Sequence, residues 1–237
     1  MNDFRITKEW IQKIKDGSTN QWTSEWAIKW LEEKERTWLE LKKKSINWAI
    51  LIMVYTKSFP IDLDGLNSDD HVYVMTYRPD CPIDLTGLDT GDRANVMVAR
   101  PDCPIDLDGL NSYERSCVMV ARPDCPIDLT GLSSGNRAYV MANRPDCPID
   151  ITGLDSNDRA EVMIKRHDCP IDFKGFNSWN RAWVMANRPD CPIDLTGLDS
   201  YDRARVMIKR PDCQIDLTGL DPWDRARVIK KRGLKNE

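Results

Sequence analysis

Seven of the eight cysteines (Cys81, Cys103, Cys125, Cys147, Cys169, Cys191 and Cys213) stand 22 residues apart, each directly after an aspartate and three residues before another. In the unit that holds Cys81 these carboxylates are Asp80 and Asp84. Thiols in such a setting suggest metal ligation or a disulfide framework, and the two carboxylates suggest an acid–base dyad. The recurrence argues against all three. Catalysis needs one distinctive site, whereas these carboxylates occur in nearly every unit. Pro-Asp-Cys-Pro offers one thiol per unit, without the CxxC pairing of zinc sites. Helical units stack roughly 9 to 10 Å apart, too far for a disulfide. The thiols therefore read as reduced, buried small hydrophobes of a cytoplasmic protein.

The two histidines add little. His71 takes the place of Arg93 and His167 that of Pro79, and no Ser/His/Asp order, Gly-rich phosphate loop or HExxH motif is present. No catalytic residue, metal ligand, cofactor or small-molecule substrate is expected, and the chain reads as a non-enzyme.

The elements that carry these residues follow from the period. RPDCPIDLTGLDTGDRANVMVA (78–99) has close copies beginning at Thr56, Arg100, Arg122, Arg144, Arg166, Arg188 and Arg210, and Arg232 opens a further one. A fixed period of this length marks a stacked repeat array. Three regions are expected: a helical, tryptophan-rich cap over 1–55, eight repeats over 56–231, and a tail over 232–237.

The second half of each repeat predicts a helix. Asp89 and Asp92 form a D-x-x-D variant of the capping box, and Asp221-Pro222 adds proline at the first helical position. Val96 and Met97 recur side by side, which strand alternation cannot explain, and Pro101 forces the helix to end at Arg100. The first half, Cys81 to Leu88, admits two readings. Cys81, Ile83 and Leu85 alternate like a strand, which would make an α/β solenoid of the leucine-rich-repeat kind. Pro82, Asp84 and Gly87 instead suit a short 3₁₀ or α turn with a Schellman end at Leu88. Charge favours the turn. In a parallel sheet the aspartates equivalent to Asp84 would stack about 4.8 Å apart, each pair repelling by roughly 1 kcal/mol even in water. The fold class expected is all-α, a superhelical solenoid.

Upstream, residues 2–15 predict a short helix with Thr7 as N-cap and Gly17 at its end. Ser45 to Ile50 lies 22 residues after Thr23 to Ile28 in the same phase, and Leu39-Glu40-Leu41 falls on Ile83-Asp84-Leu85. At least one degenerate repeat is therefore expected before Thr56, with Trp22, Trp26, Trp30, Trp38 and Trp48 covering the exposed end of the stack. The competing reading is one long helix through EEKERTWLELKKK.

The unit resembles the leucine-rich repeat variant family. The resemblance rests on Arg93, Val96 and Met97, on Pro101-Asp102-Cys103-Pro104 where that family has a Pro-x-Thr-Pro turn, and on Leu107 and Leu110. It covers 56–231, although the unit is shorter and has an extra residue between helix and turn. It implies a right-handed superhelix alternating an α-helix with a 3₁₀ helix. Some relatives of this kind carry an N-terminal cysteine cluster for iron and sulfur; residues 1–55 contain no cysteine, so that function does not carry over.

Composition narrows the partners. The chain has 237 residues and a net charge of -4, and the array carries 22 basic against 29 acidic residues, which argues against a general polyanion binder. The longest apolar run, Ile46 to Tyr55, is about half of a membrane span. The mixed-charge start MNDFRITKEW lacks the apolar stretch of a secretory leader.

Invariant positions are structural. Leu85, Leu88, Ala94, Val96 and Met97 are the expected core, and Arg78, Asp80, Asp84, Asp92 and Arg93 are expected to pair between neighbouring coils. The informative positions vary: those of Gly91, Asn95, Val98 and Ala99, of which 91, 95 and 98 share one helical face. They place Tyr113, Tyr139, Trp179, Trp183, Tyr201, Arg205, Trp223 and Arg227 on that face, types enriched in interface hot spots. The expected function is a scaffold that binds a protein partner through these residues. The alternatives are nucleic-acid binding through Arg205, Lys209, Arg227, Lys230 and Lys231, or plain packing of the aromatics between helices. The alternation Ala142-Asn143, Ile164-Lys165, Ala186-Asn187, Ile208-Lys209 points to growth by duplication of a 44-residue pair.

Overall fold

Short polar caps and proline bracket the helices of this chain. The computed structural model describes residues 5–17, 21–34 and 36–234, with the backbone alone at 16, 17 and 21–26. Its N-terminal region holds β1 (Arg5–Ile6), α1 (Lys8–Gly17), α2 (Gln21–Glu32), β2 (Arg36–Thr37), α3 (Trp38–Lys44) and α4 (Ile46–Tyr55). The array follows as α5 (Ser68–Tyr77), α6 (Thr90–Ala99), α7 (Ser112–Ala121), α8 (Ser134–Asn143), α9 (Ser156–Lys165), α10 (Ser178–Asn187), α11 (Ser200–Lys209) and α12 (Pro222–Arg232). The chain divides into two units, 1–114 and 115–237.

In the first unit the expected long helix is interrupted. Glu32 ends α2, β2 pairs antiparallel with β1, and a complete capping box between Thr37 and Glu40 starts α3 afresh. Helix propensity yields here to a cap that satisfies backbone donors at both ends of the box. The helix expected over 2–15 is corrected likewise: Arg5 and Ile6 belong to β1, and α1 begins after Thr7, whose hydroxyl accepts from the Trp10 amide at 3.4 Å. Ser45 caps α4 from the position that Asn67 occupies in α5, and both helices have 10 residues.

Buried aromatics fill the cap. Phe59, at the cysteine position of the first copy, lies 4.9 Å from Trp38 and 5.1 Å from Trp10, ring centre to ring centre. Trp38 donates to Asp62 (2.6 Å), and Trp30 packs against Trp48. The side chains of Trp22 and Trp26 lie outside the described residues.

Within a repeat, an N-cap side chain accepts from the third helical amide, as Asp89 does from Asp92 (2.8 Å). The first half of the repeat is neither the expected 3₁₀ turn nor a strand. Two β-turns, Arg78 to Cys81 and Leu85 to Leu88, flank an irregular extended segment. Asp84 accepts from the Thr86 amide at 2.9 Å, and Gly87 takes φ +77° in the second turn. A local aspartate bond to the backbone competes with helix formation, and Gly87 supplies the positive φ that closes the turn. Asp84 therefore heads no helix, and no sheet stacks its equivalents.

The core matches the pattern apart from the Leu85 position. Val96 and Met97 are fully buried and Cys81 nearly so; Leu85 and Leu88 are half-buried, but the equivalents of Leu88 at Leu110, Leu132, Leu154, Leu198 and Leu220 are buried. All eight cysteines are free thiols.

The invariant charges pair in two ways. Arg93 reaches Asp106 in the next repeat (2.6 Å), as expected, and Arg203 reaches Asp216 (3.0 Å). The arginine that opens each repeat behaves differently. Arg100 is buried, grips Asp102 two residues on, and gives its remaining N–H groups to carbonyls of the preceding turn: Met75 (2.7 Å), Arg78 (3.0 Å), Pro79 (2.9 Å) and Cys81 (3.2 Å). In the second unit Arg210 does the same to Met185, Arg188 and Cys191, and Arg232 to Met207, Arg210 and Pro211. Each guanidinium meets carbonyls of the last helical turn and of the loop after it, at the negative end of the helix dipole. Arg232 thus completes the last turn of the array.

Candidate partner-binding face

The variable face of the second unit is fixed from beneath by a polar ladder. The third helical residue is buried between helices and read by a hydroxyl one repeat earlier: Ser178 donates to Asp202 (2.6 Å) and Ser200 to Asp224 (2.8 Å). Asn180 donates to Ser156 at 3.0 Å. Asp202 and Asp224 are each 2% exposed, so these bonds hold neighbouring helix starts in register. The residue just before each of them is an exposed ring: Trp179, Tyr201 or Trp223.

Above the ladder the rings and cations form two groups. Trp179 and Trp183, one helical turn apart on α10, have centroids 5.1 Å apart, and Arg205 of α11 lies over Trp179 at 5.5 Å. Arg227 of α12 lies over Tyr201 at 5.1 Å and over Trp223 at 4.5 Å, and it also bonds Asp224 at 2.9 Å. The offset from ring to cation is the same in both, 26 residues, so the repeat builds the relation twice. Trp183 and Arg227 are half-buried, whereas Trp179, Tyr201 and Trp223 are 43%, 48% and 66% exposed. The rings therefore pack on their neighbours and still present surface to solvent.

The other two expected residues stand apart from these groups. Tyr139 of α8 is 38% exposed and has no ring or cation stacked on it among the described residues. Tyr113 of α7 is 68% exposed and belongs to the first unit.

Sequence reasoning missed a tyrosine cluster on the same helical positions in the first unit. Tyr73 packs on Tyr77 at 4.6 Å, and its hydroxyl lies 3.4 Å from that of Tyr55. That hydrogen bond, with burial, pushes the Tyr73 phenol up to about 12. The signal was available: Tyr73 stands 22 residues before Asn95, at the same variable position of the first copy.

No cluster of three or more potential metal ligands occurs among the described residues, and burial pushes the Cys81, Cys147 and Cys191 thiols up, away from the reactive thiolate. A cavity of about 440 Å³ in the first unit is lined by Ile6, Ile11, Leu31, Lys8, Lys15 and Glu32, of which the last two form an ion pair at 2.5 Å. No described helix is long and apolar enough to cross a membrane. Comparison of the chain with protein-family models, with curated proteins and with solved structures gives no match.

Proposed function

We propose that this chain is a non-enzymatic scaffold that captures a protein partner on the variable face of α10, α11 and α12. The observation that carries the reading is the pair of ring-and-guanidinium groups, built at a constant offset on an otherwise uniform frame. Tryptophan, tyrosine and arginine, preorganised by packing and still exposed, are what interface hot spots are made of. Tyr139 adds an exposed ring in the same unit, and Tyr113 stands in the first unit at the repeat position of Trp179. The resemblance to leucine-rich repeat variant solenoids suits such a role, with a right-handed superhelix carrying the face. Reduced, buried thiols suit a cytoplasmic setting.

The test is the joint replacement of Trp179, Trp183, Tyr201 and Trp223 with alanine. The helical circular dichroism is expected to persist while a protein retained by the immobilised wild-type chain is lost. Collapse of the helical signal would show instead that the rings serve the core.

A further inference from the structure

Most array arginines are balanced by aspartate. Arg144, Arg166, Arg188 and Arg210 each hold the carboxylate two residues on, and Arg159, Arg181 and Arg203 hold one in the following loop. Several cations toward the C-terminal end differ. Arg205, Lys209, Lys230 and Lys231 have no carboxylate partner among the described residues. Positive charge without a carboxylate partner is thus present on α11 and α12, which carry Tyr201 and Trp223.

The rings decide what kind of anion fits. Stacking a nucleic-acid base needs an open ring face. Trp179 already carries Arg205 and abuts Trp183, while Tyr201 and Trp223 share Arg227. A guanidinium laid on a ring keeps its N–H donors at the ring's edge, where a carboxylate accepts two of them. Trp179, Tyr201 and Trp223 thus each have a guanidinium on the ring, and its free N–H edge is prepared for a carboxylate.

Spacing narrows the ligand further. Arg205 and Arg227 occupy equivalent positions on adjacent helices, and packed helices lie about 8 to 10 Å apart. In an extended polyproline-type chain three residues span about 9.3 Å and return a side chain to the same side. We infer that this face binds an acidic peptide in an extended, polyproline-like conformation, with carboxylates three residues apart engaging Arg205 and Arg227. The inference rests on the partner-binding reading above and names the chemistry of the partner.

The probe is a fluorescently labelled peptide of Glu-Pro-Pro repeats, titrated against the full chain and followed by anisotropy. Saturable binding is expected, weakening at least about tenfold as salt rises from about 0.05 to 0.5 M. Arg205→Gln and Arg227→Gln should each weaken it about tenfold with unchanged circular dichroism. A peptide of Glu-Pro-Pro-Pro repeats, with the spacing broken, should bind several-fold more weakly. Absence of binding up to about 1 mM peptide, or equal binding of both spacings, overturns the inference. So does tighter binding of an oligo-thymidine strand. If the acidic peptide fails while the wild-type chain still retains a protein that the four-alanine variant loses, this inference alone falls. If no such protein is retained, the reading it rests on falls too.

Discussion

The guanidinium of Arg205 lies 5.5 Å from the ring centre of Trp179, which sits on the preceding helix of the array. An exposed cation–π pair of this kind is worth about 0.5 to 1 kcal/mol. A double-mutant cycle combining Arg205→Ala with Trp179→Ala, read by urea unfolding, should give a coupling energy in that range. A coupling of zero would mean that the stack does not form in solution.

The arginine that opens each repeat should be the most sensitive position in the frame. Arg188 donates to the carbonyls of Met163 (3.0 Å), His167 (2.6 Å) and Cys169 (2.6 Å) while holding Asp190. Removing it strands several buried acceptors at once. Arg188→Ala is expected to cost about 3 to 5 kcal/mol, measured by urea unfolding. Arg188→Lys should recover only part of this, because a single ammonium cannot span the fork of acceptors. Near-neutral behaviour of Arg188→Ala would show that water serves those carbonyls equally well.

Thiol chemistry separates the buried cysteines from the remaining one. Burial raises Cys81, Cys125, Cys147, Cys169, Cys191 and Cys213, which suppresses the nucleophilic thiolate. Iodoacetamide at neutral pH should label the native chain slowly, with half-buried Cys117 first by peptide mapping. All eight should react once the chain is unfolded. Fast native labelling at Cys147 would contradict the packing described.

Acid should weaken the array through the aspartates beside the capping arginines. Hydrogen bonding to Arg144, Arg166, Arg188 and Arg210 holds Asp146, Asp168, Asp190 and Asp212 below the usual aspartate value. A depressed folded value means that the stabilisation is complete above the unfolded value, about 3.9, and is lost as pH falls through the folded one. Asp92 opposes this: burial, then Asp89 and Asp69, raise it, so its protonation relieves the fold as pH falls. The urea midpoint should stay level from about pH 5 to 7 and drop below about pH 4. Asp146→Asn should flatten that drop; an unchanged pH profile in this variant would show that Asp146 plays no part.

Helix positions are readable from the sequence because caps and proline are local devices. Asp89 and Pro101 mark the limits of α6, and the phase of Ser45 locates the start of α4. The loop between helices is misread because Pro82, Asp84 and Gly87 suit a helical turn as well as two linked β-turns. The choice rests on a bond from the Thr86 amide to Asp84 that periodicity does not reveal. The role of Arg100 is hidden for a different reason: its acceptors are backbone carbonyls, which carry no sequence signature. For the candidate site, the variable face is legible as a pattern of residue types. The stacking of Arg227 on both Tyr201 and Trp223 needs the spacing of real helices.

The most direct test of a partner-binding face compares two exposed positions on one frame. A photo-activatable phenylalanine analogue replaces Tyr201 on the variable face in one variant and Asp190 beside a capping arginine in another. Cross-linking at position 201, with a protease-sensitive and nuclease-resistant product absent from position 190, is the predicted result. Equal products at both positions, or a nuclease-sensitive product at 201, would contradict it.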